Sequence, residues 1–284
     1  MLCQLSDYDI NRFIEEDVPY GDLTTLLLGI SDMEGKITFT SRETTTLCCT
    51  EEAARVLEHC GASVTFCMHS GTTVDAGVVI LSVNGPVGAL HAGWKVALNL
   101  LEYASGIATR TRNIVNVVTE VKLGIRVVTT RKSFPGTKKV AIKAIMAGGA
   151  LPHRLGLSES VLVFRQHTAF CSGLDNFLQT IAELKAKTPE HKIIVEAETA
   201  EEALKIAAAG VDVVQIDKLT PEKLSQLVSQ LHKVAPGITI SAAGGINAQN
   251  ASAYAETGVD ILVLSSVYFG KPSDIAVSMS PLQS

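Results

Sequence analysis

No apolar run in the 284 residues approaches the ~18 that a membrane-spanning helix needs. The first ten residues, with Asp7 and Asp9 among them, lack the basic-then-apolar order of a secretion signal. A cytoplasmic chain without a membrane partner is therefore expected. Positive charge is also in short supply, since 24 Lys and Arg against 29 Asp and Glu leave a formal net charge of −5. Neutralising the phosphates of a nucleic acid takes a basic face, so general nucleic-acid binding is excluded, although a local basic pocket is not. The six cysteines, at positions 3, 48, 49, 60, 67 and 171, include no pair with the two-residue gap of a zinc knuckle or redox motif. A core of this size needs no disulfide staples, so small, idle thiols are expected. Charged residues make up only 19% of the chain and hydrophobic ones 46%, too apolar a balance for a self-repelling disordered chain. The chain should pack, as one large α/β domain or two modest ones.

What is present is a rhythm. From Ile125 onward, short β-branched runs alternate with stretches of helical period, the signature of βαβ units. The runs cover 125–128, 161–164, 193–195, 211–216, 238–240 and 261–264, and their apolar character suits parallel strands covered on both faces. Helices are expected over 109–121, 138–147, 174–187, 201–209 and 221–234. Thr199 ahead of Glu201 and Glu202 offers a capping box, Gly210 a stop, and Thr220 before Pro221 another start. The first hundred residues read differently, with strands at 35–40 and 78–83 and helices at 50–60 and 94–103. A small α/β domain over 1–105 and a β/α barrel over 106–270 are expected, with the tail 271–284 packing back on the first domain or fraying.

Chemistry collects where the apolar runs end. Thr129, Thr130, Arg131 and Lys132 follow the first run, Arg165, Gln166 and His167 the second, Glu196 and Glu198 the third, Asp217 and Lys218 the fourth, Ala243, Gly244 and Gly245 the fifth, and Ser265 and Ser266 the sixth. In a parallel barrel these ends share one rim, where barrel enzymes keep their sites. Glycines ahead of a helix let backbone N–H groups approach a phosphate. Glu198 and Asp217 can hold a divalent cation through oxygen, and Arg131 and Lys132 can meet a carboxylate or pyrophosphate. Blander readings stand beside these. Paired glycines are often just a tight turn, and since Glu196 and Glu198 face the same way along a strand, one of them is expected to be a paired structural charge.

Two strings carry a resemblance. Thr130-Arg131-Lys132-Ser133-Phe134-Pro135-Gly136-Thr137 resembles the TRKTxPG stretch of quinolinate phosphoribosyltransferases, and Gly148-Gly149 with His153-Arg154-Leu155-Gly156-Leu157 resembles their GG…HRxGL stretch. Weaker matches run from Glu16, Asp17, Gly21 and Asp22 to Ser105–Thr109 and Gly244–Ile246, and the wording of 133–160 is similar to the ModD branch of that superfamily, encoded with molybdate transporters. The resemblance implies an N-terminal α/β sandwich and an open, incomplete parallel β/α barrel of the type II phosphoribosyltransferase kind. It further implies a homodimer or higher even oligomer, transfer of ribose 5-phosphate from phosphoribosyl pyrophosphate to a small nitrogen-containing acceptor, and Mg²⁺ on the leaving pyrophosphate. Carried over by motif, Arg131, Lys132, His153 and Arg154 form an anion pocket. Lys132, Glu198 and Asp217 are the catalytic set, and Glu198 and Asp217 also face the metal. Ala243, Gly244, Gly245 and Ser265 hold the 5-phosphate, and Lys95 takes the place of an arginine donated across the dimer interface.

Departures from the family pattern bear on the acceptor. Phe164 stands where the family has a lysine, Lys95 replaces an arginine, Ala243 a serine, Pro152 an asparagine and Ser265 a glycine. A site with one cation fewer suits an acceptor less anionic than quinolinate, because an unpaired buried carboxylate costs several kcal/mol. The leading expectation is thus a ModD-like phosphoribosyltransferase or pyrophosphorylase linked to molybdenum metabolism. Quinolinate phosphoribosyltransferase activity in NAD biosynthesis is the second expectation, and a non-catalytic phosphate-ligand binding or regulatory protein the third.

Overall fold

The computed structural model describes residues 4–282, so Cys3 and the last two positions of the 271–284 tail lie outside the described residues. The chain forms two compact units. One takes the chain up to Arg112, Phe134–Gly149 and the chain from Val267 onward; the other takes Asn113–Ser133 and Ala150–Ser266.

The first unit is organised by a four-stranded antiparallel sheet in the order Ile275–Pro281, Glu34–Ser41, Val79–Pro86, Ser63–Cys67. Alternation along Glu34–Ser41 turns Ile37 and Phe39 inward, where they are fully buried. Across the sheet they sit opposite Val83 and Leu81. The described part of the tail packs back on this unit: Ile275–Pro281 pairs with Glu34–Ser41 through seven positions, from Gly35 opposite Pro281 to Ser41 opposite Ile275. Helix Thr50–His59 closes the core with Val56 and Leu57. Beneath its N-terminus Lys143, from helix Lys138–Ala147, is buried between Glu51, at 3.0 Å, and Glu52.

The helices expected at 94–103 and 109–121 are one, Val87–Val121. Gly106 does not break it. A Cβ there would lie 2.8 Å from the Lys271 carbonyl oxygen, so glycine is kept for a close approach of backbone rather than for a turn. Cys48 and Cys49 are buried, Cys60 and Cys67 half-buried and Cys171 exposed, all five as free thiols. Among the described residues no helix is long and apolar enough to cross a membrane.

The second unit is a seven-stranded, all-parallel curled sheet in the order Leu151–Pro152, Arg126–Thr129, Ile261–Leu264, Thr239–Ala243, Val213–Asp217, Ile193–Ala197, Val161–Val163. The six expected strands are all there. The seventh is a two-residue edge strand, and the sheet stays open between its two edges, as an incomplete barrel does. Helices Ala200–Ala208 and Pro221–Val234 bury Ile206, Leu224, Leu227 and Leu231. The Thr199 hydroxyl caps the first by accepting from the Glu202 N–H. The helix expected over 174–187 is instead two short ones, Leu174–Leu178 and Ile181–Lys187. Between them both the N–H and the hydroxyl of Thr180 donate to the Phe177 carbonyl, a local bond that competes with continuing the helix.

Candidate active site at the open end of the curled sheet

The C-terminal ends of the parallel strands surround a cavity of about 800 Å³. Its lining includes Arg131, Lys132, His153, Arg154, Phe164, Asp217, Ala243, Gly244, Gly245 and Ser265, so ten of the twelve residues singled out from sequence meet in one place. Lys95 belongs to the other unit, where its ammonium lies 5.4 Å from the Trp94 ring centroid. Glu198 is also absent from the lining. It sits just past its strand, largely exposed, 3.2 Å from the Arg165 guanidinium. The carboxylate facing the cavity is Glu196, two residues earlier. Of the pair that points one way, Glu198 carries the structural ion pair.

The cationic flank follows from two adjacent strands. Arg126–Thr129 delivers Arg131 and Lys132, and the edge strand Leu151–Pro152, paired with it at Val128 and Thr129, delivers His153 and Arg154. The His153 N–H donates to the Thr129 carbonyl at 2.9 Å, fixing where the HR pair emerges. Burial, reinforced by the charge of Arg154, lowers the His153 pKa and so favours its neutral ring, with one nitrogen a donor and the other an acceptor. Burial, and after it the charge of Arg131, also pull Arg154 down from its usual value. The Arg154 guanidinium lies 5.9 Å from the Phe164 ring centroid, which brings residues from beyond the two open edges of the sheet together. Phe164 directly follows its strand and stacks on His167, whose Nδ1 accepts from the Phe164 N–H. Arg165 begins a short helix, Arg165–Thr168, and turns out to Glu198.

The acidic flank lies on two other neighbours. Glu196 and Gln215 are register partners on adjacent parallel strands, and the Gln215 amide nitrogen donates to Glu196 at 2.6 Å. Burial raises the Glu196 pKa, the Gln215 bond opposes this, and the charges of Asp217 and Glu198 add to the rise. Asp217 meets the Lys218 ammonium at 2.8 Å. Lys218 itself is held at φ 60, a left-handed conformation unusual for a side chain of this kind, with its N–H donated to the Ala243 carbonyl.

The turn after Thr239–Ala243 completes the rim. Gly244 and Gly245 have φ of 88 and 73, and a Cβ on Gly244 would fall 2.5 Å from an Asp217 carboxylate oxygen. The next helix begins only at Ala251, so these glycines do not open a helix as expected. They are held instead by Asn247 and Asn250, whose side-chain amides both donate to the Gly245 carbonyl at 3.2 and 3.1 Å. Any phosphate here would meet the amides of a turn rather than a helix dipole. Among the described residues no group of three or more His, Cys, Asp and Glu is arranged to hold a metal ion. Two carboxylates on one rim fit Mg²⁺ in the way that ion is often carried, bound to one or two protein oxygens with substrate phosphates and water filling the rest.

Gln215, Lys218 and Asn247 were not assigned roles from sequence, although Lys218 was noted at its strand end. Gln215 is hidden inside an apolar strand run, and the only signal that could have found it is its phase, in step with Asp217.

Known proteins with this pattern are close at hand. The family model described as quinolinate phosphoribosyl transferase, C-terminal domain, matches residues 107–278, and the corresponding N-terminal domain matches 22–105. "Putative pyrophosphorylase ModD" of Rhodobacter capsulatus is 43% identical over 248 residues, covering 87% of this chain and 95% of that one. "Probable nicotinate-nucleotide pyrophosphorylase [carboxylating]" of Synechocystis is 31% identical, covering 89% of this chain and 85% of that one. NadC from Streptococcus pyogenes superposes with a TM-score of 0.88 over 99% of both chains at 24% identity, a likeness of fold. Matched in both domains, the chain belongs to the quinolinate phosphoribosyl transferase family and is a pentosyl-transferring enzyme.

Proposed function

We propose that the chain transfers ribose 5-phosphate from phosphoribosyl pyrophosphate to a ring nitrogen of an acceptor less anionic than quinolinate. The observation that carries this reading is the division of one cavity into a cationic flank, Arg131, Lys132 and Arg154, and an acidic flank, Glu196 and Asp217, with a glycine turn between them. The cations suit the departing pyrophosphate and the turn the 5-phosphate. The carboxylates suit the positive charge that develops on the sugar as the C1–O bond breaks. Mg²⁺ would be held by Asp217 and Glu196 together with pyrophosphate oxygens, and it would neutralise the leaving group. The attacking nitrogen uses its free lone pair, so no base is required, in keeping with a His153 that serves as a hydrogen-bonding group. Phe164 in the wall supplies a ring face in place of a cation, which favours a planar acceptor with fewer carboxylates.

Lys95 is proposed to reach the site of a partner subunit within a homodimer or higher even oligomer. Mixing the separately inactive variants Lys95→Ala and Asp217→Asn should then restore part of the activity. The link to molybdenum metabolism rests on the likeness to ModD proteins. Calorimetry with phosphoribosyl pyrophosphate and Mg²⁺ tests the core of the proposal: binding is expected, and its loss in Asp217→Asn and Arg131→Ala ties it to this cavity. No heat from the wild-type protein would overturn it. The Synechocystis likeness keeps quinolinate as a second reading, which quinolinate-dependent release of carbon dioxide, with pyrophosphate leaving phosphoribosyl pyrophosphate, would establish.

A further inference from the structure

Resting on the phosphoribosyl-transfer reading, we propose that Gln215 is a specificity-determining residue: its Oε1 accepts a hydrogen bond from a donor on the bound substrate, while its Nε2 holds Glu196 in place.

Strand Val213–Asp217 alternates, so Val213, Gln215 and Asp217 share the cavity face, whereas Val214 and Ile216 are buried on the other. Val213, at the deep end, packs with Leu162, Ile194 and Phe164 as an ordinary apolar floor. The polar choice at Gln215 is therefore not needed to fill space. Its side chain is only 4% exposed, yet it lines the cavity, and its neighbours in register are Glu196 on one side and Ser241 on the other.

One end of the amide is accounted for, since Nε2 donates to Glu196 at 2.6 Å. The opposite flip would set two oxygens at that distance, so the carboxylate fixes which end is which. The other end is not accounted for: the buried Oε1 has no hydrogen-bond partner among the described residues. Buried polar atoms without partners are rare because desolvation is not repaid, and a sheet interior offers no reason to retain one. A partner that arrives with the ligand is a reason. Glu196 and Gln215 Oε1 then present carbonyl-type oxygens side by side, which selects a hydroxyl or N–H group and disfavours a carboxylate at this spot. Two sources offer that donor, the hydroxyls of the pentose or an N–H on the acceptor ring.

The test uses the full chain with Gln215→Met, which keeps volume but removes both polar ends, and Gln215→Asn, which keeps the amide but draws it back by one methylene. Binding of ribose 5-phosphate, nicotinamide and nicotinate is measured by calorimetry, and thermal melting is followed alongside. The two rings differ in the N–H donors of the carboxamide. An approximately tenfold loss for ribose 5-phosphate in Gln215→Met, the size of one hydrogen bond of about 1.4 kcal/mol, with an unlowered melting temperature, supports the proposal with the sugar as source. The same loss for nicotinamide but not nicotinate supports it with the acceptor as source. Unchanged affinities for all three overturn it. So does a lowered melting temperature in both variants with every affinity reduced alike, since that marks a structural glutamine. Absence of ribose 5-phosphate and ring binding to the wild-type protein overturns the phosphoribosyl reading itself, and this inference with it.

Discussion

Adding one methyl group at Gly244 would place a carbon 2.5 Å from Asp217 Oδ1 and 2.8 Å from the Lys218 backbone nitrogen, with the residue at φ 88. The adjacent Gly245, at φ 73, would meet nothing within 4 Å. Both substitutions pay the left-handed penalty of about 1–2 kcal/mol, partly offset by a stiffer unfolded chain worth about 0.4–1 kcal/mol. Gly244→Ala alone adds the overlap with Asp217 and Lys218, about 1–3 kcal/mol for overpacking of this kind. The expected destabilisation is therefore about 1 kcal/mol for Gly245→Ala and roughly 2–4 kcal/mol for Gly244→Ala. Urea unfolding reads the difference as a lower midpoint at unchanged slope. Pyrophosphate release reads the second consequence, because relief of the clash must move Asp217, and displacement of about 1 Å at a reacting centre can cost about 100-fold. Equal midpoints for the two alanine variants would refute the close packing of the turn against Asp217, and equal activities would refute its bearing on the chemistry.

Three further outcomes are expected. Lys143→Met should destabilise by about 3–5 kcal/mol in urea, because it strands the buried Glu52 carboxylate, and adding Glu52→Gln should recover part of that loss. Bonds from Lys139 and Ser6 hold the Asp9 carboxyl at about 2, below its ordinary 3.8. This depressed value contributes stability that is complete above about pH 4 and lost as pH falls toward 2. Asp9→Asn should therefore flatten the acid limb of the stability curve there, by about 1–2 kcal/mol once the exposure of Lys139 is discounted, and an unaltered limb would rule the pair out as its origin. Phe164→Lys should raise quinolinate affinity in calorimetry by tenfold or more, by returning a cation to a wall that holds a ring. No gain would show that something other than Phe164 sets the limit on carboxylates.

The barrel was legible because its strands are predominantly apolar runs and its helices carry start and stop residues. Thr220 before Pro221 marked the start of a helix that begins at Pro221. Leu151–Pro152 was not legible, since two residues have no period, and it became a strand through the partner beside it. The separate helices expected around Gly106 fuse because a glycine in sequence does not say whether it permits a bend or a close contact. In the site, motifs located the cations, the glycines and Asp217. The choice between Glu196 and Glu198 depends on where the strand ends and on Arg165 turning outward to claim the later carboxylate, neither of which a linear reading displays. Gln215 acquires meaning only opposite Glu196, through a register set by pairing of strands nineteen positions apart.

The pairing of Ile275–Pro281 with Glu34–Ser41 has a consequence for birth of the molecule on the ribosome. At about 5–20 residues per second, roughly 10–50 s separate synthesis of these two strands. Throughout that interval Glu34–Ser41 has one unzipped border, a template for mispairing with another nascent chain. Sealing it falls to a late-made strand, so the earliest-made unit is among the last to mature, and a chaperone that shields that border would raise yield without touching the candidate site.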